Sequence, residues 1–426
     1  MSELAFAPLA RFADVVMGQS PGADLCNTEE RGLPFLQGCA EFGPRHPHSE
    51  VYCAPPLRVA KTGSVLISVR APVGTMNYAD RDYCIGRGLG AFKAKFGVSN
   101  TIFLKHAVEL NAAYLHRRSQ GSTFAAVSTD DVKTVPIPVF MPDKQEKIAT
   151  ILTSIDTAIE KTEALIAKYQ QIKAGLMHDL FTRGVQPNGQ LRPPREQAPE
   201  LYQETAIGWI PREWSLECAN TLCSLITKGT TPASDEMWQE GDGIRFLRVD
   251  NLTFDGQLSF DSSSFRIALK THLSDLARSR CLPDDVLTNI VGPPLGKVSL
   301  ISEETGEVNI NQAIALFRPR DGLDSGFLLY WLTTETVKRW FLQRAKQTSG
   351  QLNLTLAMCQ ELPVPSIGLH EQKLILARAQ GCERRIQSEW RNLCALTDQK
   401  SGLMHDLLTG KVPVTIENQT TTEVVA

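Results

Sequence analysis

Apolar positions recur at alternating steps of four and three in two stretches of the chain. From Ile148 the steps give Leu152, Ile155, Ile159, Thr162, Ile166, Tyr169, Lys173, Leu176 and Leu180. From Ile375 they give Ala379, Cys382, Ile386, Glu389, Leu393, Leu396, Lys400, Leu403 and Leu407. Eight of ten positions are apolar or aromatic in each series, and the exceptions occupy the same two places. A 4-3 spacing held for about five heptads predicts a coiled-coil seam, narrower than the stripe of a globular surface helix. The four exceptions (Thr162, Lys173, Glu389 and Lys400) suit the polar seam residues that set register. Each helix, about 38 residues at ~1.5 Å per residue, would span about 57 Å. A lone helix would leave that stripe wet, so each is the expected antiparallel partner of the other; the alternative is that each packs on its own adjacent domain, against which the matched seams argue.

The two stretches belong to a repeat. The hexapeptide GLMHDL occurs at 175–180 and at 402–407, an offset of 227. At that offset the register holds without a gap from 136–185 to 363–412, with PIP matching PVP and Gln145 matching Gln372. The blocks before each helix share a looser repeat. GQSP at 18–21 matches GTTP at 229–232, and FLQGCAEF at 35–42 matches FLRVDNLT at 246–253, both at an offset of 211. GSVLISVRAPVG at 63–74 corresponds to DDVLTNIVGPPLG at 284–296, and QGSTFAAVS near Gly121 to TSGQLNLT near Gly350. Short β-branched runs such as 65–69 and 286–290 alternate with Gly/Pro turns, so these blocks read as strand-rich domains. Residues 328–345 read as one of their few helices. Four prolines make 184–207 an extended connector.

The expected fold is α+β. Two strand-rich mixed domains, 1–141 and 208–367, are joined by two long antiparallel coiled-coil helices, 142–183 and 368–411, with pseudo-twofold symmetry. A polar tail, 412–426, follows.

Composition narrows the function. With 426 residues, 42% apolar and 21% charged, the chain reads as a soluble protein of at least two domains. The start has neither a basic n-region nor an apolar core, and no apolar run approaches a membrane span, so a cytoplasmic protein is expected. Ten scattered cysteines form no CxxC pair, which favours buried free thiols over zinc or disulfides. A net charge of −3 neither advertises nor excludes nucleic acid, because DNA responds to local patches.

Catalytic patterns are incomplete. VGPPLG at 291–296 lacks the polar and aromatic residues of a base-methylating loop. GPPLGKV is one residue short of a phosphate-binding loop and ends in valine. PDKQEK at 142–147 resembles a nuclease core but suits a helix start, where Pro142, Asp143 and Glu146 are favoured. His178–Asp179 and His405–Asp406 resemble catalytic pairs, yet helical neighbours face apart. They fall off the seams, placed to meet a partner.

The ordered set formed by GWIPREW at 208–214, GTTP, SGQLN at 349–353, the PxP link and the GLMHDL helix end resembles the specificity subunit of type I restriction–modification systems. The resemblance covers essentially the whole chain, although the first block lacks a GWIP-type opening. It implies two target recognition domains, each reading one half of a bipartite, gapped sequence in double-stranded DNA, with the helices as spacers that set the gap. It implies docking of two modification (methyltransferase) subunits and, through them, two restriction (translocase/nuclease) subunits. S-adenosylmethionine, ATP and magnesium would serve those partners. The chain would be a non-catalytic subunit of the deoxyribonuclease/adenine methyltransferase complex. The competing expectation is a helical assembly scaffold without sequence-specific DNA recognition.

Polar side chains on the shared turns are the candidates for base contact: Gln19, Ser20, Gln37 and Arg70 in the first block, Thr230, Thr231, Arg248 and Asn251 in the second. Arginine suits guanine, and Asn or Gln suits adenine. Lys105, Arg117, Arg118, Arg344 and Lys346 are the candidate phosphate contacts.

Overall fold

The computed structural model describes residues 4–119, 126–260, 264–292, 294–348 and 351–415. The stretches around Gly121 and Gly350 and most of the expected tail lie outside them. Two compact units divide the chain: Met1–Leu165 with Glu389–Ala426, and Ile166–Ser388. This partition differs from the linear division expected above. Each long helix is continuous, Pro142–Thr182 and Leu369–Leu408, and contributes one half to each unit. The reason is packing: a helix half buries its seam against its own domain and the opposite helix half together.

In the first unit, an antiparallel sheet runs in the order Ala13–Met17, Leu89–Ala94, Val65–Ser68, Met76–Tyr78. A second sheet orders Cys26–Asn27, Tyr52–Cys53, Leu33–Leu36, Tyr83–Ile85 and Val59–Ala60, with one parallel pair, Leu36 opposite Ile85. The PIP strand, Pro136–Pro138, pairs with Phe6–Pro8. Prolines are tolerated there because a two-stranded ribbon is all edge, while Ile137 between them is fully buried. Helices Thr101–Leu110, Ala112–Ser119 and Thr129–Lys133 complete the domain.

The second unit repeats this plan. Its four-stranded sheet runs Cys223–Lys228, Ile314–Pro319, Val286–Asn289, Val298–Leu300. Its five-stranded sheet runs Met237–Trp238, Phe265–Ile267, Ile244–Leu247, Val308–Ile310, Arg280–Cys281, again with one parallel pair, Leu247 opposite Ile310. Pro363–Ser366 pairs with Ser215–Cys218. The hairpin of Tyr202–Thr205 with Gly208–Pro211 belongs to this unit, so strand structure begins before Gly208.

The single helix expected over 328–345 is two, Ser325–Thr333 and Glu335–Arg344. Thr334 breaks it with an extended backbone, and its hydroxyl accepts the amide of Val337 at 3.3 Å as an N-cap. The connector is also more than a spacer. Arg192 is buried, 2.5 Å from both Glu371 and Glu213, and Glu371 also accepts from the Val185 amide and the Trp214 indole.

Each unit buries the ends of the seams in its core. In the first, Ile148, Leu152, Leu407 and Leu408 share a core with Phe103, Leu104 and Ile137. In the second, Leu180, Ile375 and Ala379 share one with Phe327, Trp331 and Val364, where Phe181 stacks 5.2 Å from Phe327. Ile155, Ile166 and Leu393 are also buried. Ile159, Tyr169, Leu176, Cys382, Ile386, Leu396 and Leu403 are half-buried. The polar seam residues have definite partners. Thr162 donates to the carbonyl of Ala158. Lys400 lies 3.0 Å from Asp156 in the first unit, and Lys173 pairs with Glu383 in the second. Asp156 and Glu383 are 227 residues apart, as are Lys173 and Lys400, so one ion pair is built twice with the helices exchanged. Pairing of late positions on one helix with early positions on the other makes the halves antiparallel in each unit.

Candidate nucleic-acid interface

A turn built alike in both units gathers the polar candidates. In the first unit the 18–21 turn is tied to the following strands: the Gly18 amide donates to Leu89 and the Gln19 amide to Ile85, each at 2.9 Å. The amide of Gly86 donates to Leu36 at 2.8 Å. In the second unit the amide of Gly229 donates to Ile314 at 3.3 Å, and that of Asn311 to Leu247 at 3.0 Å. The glycines are required by close approach. A Cβ on Gly18 would sit 2.1 Å from the Gly86 carbonyl oxygen, and one on Gly229 would sit 1.8 Å from that of Ile310.

The hydroxyl of the next-but-one residue organises each cluster. Ser20 Oγ accepts from Gln37 Nε2 at 3.4 Å and from Arg87 Nε at 3.3 Å. Thr231 Oγ1 donates to Gln312 Oε1, and Thr230 Oγ1 accepts from Arg278 at 2.8 Å. Gln19, Gln37, Arg87, Arg248 and Gln312 are exposed. Arg248 lies over the Phe265 ring at 5.3 Å. Such a cluster offers hydrogen-bond donors and acceptors on a rigid backbone, which is what reading a base edge needs.

Other candidates are placed differently. Asn251 is buried: its Oδ1 accepts the Arg248 amide and its Nδ2 donates to Ser259, so it braces the turn and cannot reach a base. Lys105 is drawn inward, 3.7 Å from Glu109, 3.8 Å from Asp156 and over the Tyr78 ring, which removes it from phosphate contact. Arg118 is committed to Asp131 at 3.1 Å and to the Tyr114 face. Arg344 stacks on Trp340. Arg70, Arg117 and Lys346 are exposed, and Arg70 follows Val69, whose amide donates at 2.9 Å to Gly88, the neighbour of Arg87.

The helix-end pairs also differ from each other. Asp179 pairs with Arg183 at 3.0 Å, and Asp406 with Lys411 at 3.1 Å. His178 is exposed between two concavities of the second unit: one of about 300 Å³ lined by Met177, Phe181, Leu329 and Tyr330, and one of about 440 Å³ lined by Trp209 and Arg339. His405 is exposed on the first unit. No helix among the described residues is long and apolar enough to cross a membrane.

Arg87 and Gln312 were not among the sequence candidates, yet the signal exists. IGRGLGAF at 85–92 matches INQAIALF at 310–317 at an offset of 225, between the offsets of the flanking matches. Arg278 has no such signal; only the fold brings it to Thr230.

Residues 58–171 match the type I restriction modification DNA specificity domain. A Methanocaldococcus jannaschii protein assigned as the MjaX specificity subunit of a type I restriction enzyme is 34% identical over 172 residues, 40% of each chain. The match thus spans under half the length of that relative. The MjaVIII specificity subunit of the same organism is 22% identical over 321 residues, 74% of this chain and 71% of that one. Among solved structures, a chain from a type I R-M system superposes with a TM-score of 0.59 over 97% of this chain and 99% of that one, at 16% identity. The type I restriction-modification S subunit from M. genitalium gives 0.56 over 98% of each, at 14% identity. At those identities the superpositions speak for the fold. With the duplicated domains and the paired helices, these matches make the chain similar to type I restriction–modification specificity subunits: in sequence over residues 58–171, and in fold over nearly its whole length.

Proposed function

We propose that this chain is the non-catalytic DNA-specificity subunit of a type I restriction–modification complex. Each domain reads one half of a bipartite, gapped site in double-stranded DNA, and the paired helices act as the spacer. Two methyltransferase subunits dock on the chain, with His178–Asp179 and His405–Asp406 at equivalent docking points, and restriction subunits join through them. S-adenosylmethionine, ATP and magnesium belong to those partners.

The observation that carries this reading is the duplicated turn. Two domains share one backbone plan and one glycine-threaded turn but present different polar side chains on it. A duplicated scaffold with varied tips suits two readers of different short sequences. The test replaces residues 1–140 with the corresponding block of another specificity subunit and maps DNA methylation in a host that also carries the methyltransferase subunit. One half-site should change while the other half and the gap stay. A change in both halves, or in neither, overturns the two-reader proposal.

A further inference from the structure

The two units serve as an internal comparison of the same site. Where they agree around the turn, the residues are scaffold: Gly18 and Gly229 by close approach, Ser20 and Thr231 by their hydroxyls. Where they differ, an exchange stands out. The residue after the parallel strand pair's Leu36 is Gln37, and the one after Leu247 is Arg248. Two residues beyond Ile85 lies Arg87, and two beyond Ile310 lies Gln312. One site therefore holds Gln then Arg, and the other Arg then Gln, at matching backbone positions.

We infer that these are the base-reading side chains, with Arg87 and Arg248 each taking a guanine and Gln37 and Gln312 each taking an adenine. This rests on the two-reader proposal above and adds the chemistry of what each domain reads. The guanidinium fork matches guanine O6 and N7, and the carboxamide matches adenine N6 and N7. Arg87 is anchored through Nε, and its two terminal nitrogens have no partner among the described residues, so the fork is held and open. Gln312 is anchored through Oε1, which keeps a second lone pair for the adenine amine, while its Nε2 stays open for N7. In the first unit both anchors meet at one hydroxyl, so the guanine and the adenine lie within about two base steps at ~3.4 Å each. The same pair of bases is read in the other half-site with the two positions exchanged.

The experiment maps methylation motifs for the complex of the chain with its methyltransferase subunit. Arg87→Gln should lower the preference for one G·C pair in one half-site by about tenfold or more, leaving the other half and the gap intact. Gln312→Arg should do the same at one A·T pair of the other half. If the Arg87→Gln complex methylates nothing, Arg87→Lys decides: a retained motif supports the assignment, and continued silence overturns it. An unchanged motif in Arg87→Gln overturns it, as does weaker methylation at every site with the motif kept, the mark of a phosphate contact. A wild-type complex without a bipartite motif would instead sink the two-reader proposal itself, so the two failures are distinguishable.

Discussion

Lys400 lies on a helical seam, where an apolar residue is the rule, because carboxylates meet it there. Its ammonium is 2.9 Å from Glu109 and 3.0 Å from Asp156, and buried His106 lies 3.4 Å from Glu109. Burial pulls the Glu109 carboxyl upward, but His106, Lys105 and Lys400 outweigh it and hold the group at about 2 instead of the ordinary 4.5. A depressed carboxylate contributes stability that is fully present above about 4.5 and is lost as pH falls toward 2. Lys400→Met should therefore cost roughly 1–3 kcal/mol near neutral pH, between exposed and buried pairs. The deficit should shrink as the carboxylates protonate. Urea unfolding at neutral and acid pH measures both; a deficit that does not depend on pH would show that Lys400 acts by packing alone. The second unit solves the same position differently: Tyr330 donates to Glu383 beside Lys173, and burial followed by that carboxylate pushes the phenol well above its usual range.

The long helices begin by being tied to their domains. Gln145 is fully buried and accepts the Ser99 hydroxyl and the Asn100 amide at 2.6 and 3.2 Å, while donating to Phe140 at 2.8 Å. Asn100 in turn caps the helix Thr101–Leu110. Gln372 does the same in the other copy, accepting the Asp324 amide and donating to Gly322 and Ile367, and Asp324 caps Ser325–Thr333. One carboxamide thus links the start of a long helix to the start of a domain helix. Gln372→Leu removes the side-chain partner of three part-buried backbone groups, at Asp324, Gly322 and Ile367, and should destabilise the protein by about 1–3 kcal/mol. Faster amide exchange at the start of Leu369–Leu408 should accompany it. A variant as stable as wild type would mean that the bonds are replaced by water. The match of the two glutamines was legible in the repeat. Their role was not, because the partners that tie them to a domain helix, Asn100 and Asp324, lie 45 and 48 residues upstream.

For the whole molecule, on the proposed function, a net charge of −3 means that DNA affinity comes from local patches. Binding by the complex with its methyltransferase subunit should still fall steeply with salt, since each neutralised phosphate releases a counterion. Arg117 is exposed, so Arg117→Ala should lower the salt slope by about one if it touches phosphate, without altering the motif. A flat salt response with no sequence preference would favour the scaffold reading.

Periodicity and duplication were open to inspection because both are properties of spacing along the chain. Two helices, two strand-rich domains and the matched turns follow from them. The partners of the seam lysines, the inward turn of Lys105, the burial of Asn251 and the meeting of Arg87 with Ser20 do not. Those depend on which distant segments the fold brings within a few ångströms. Spacing fixes the face a residue occupies; the path of the chain decides what that face meets.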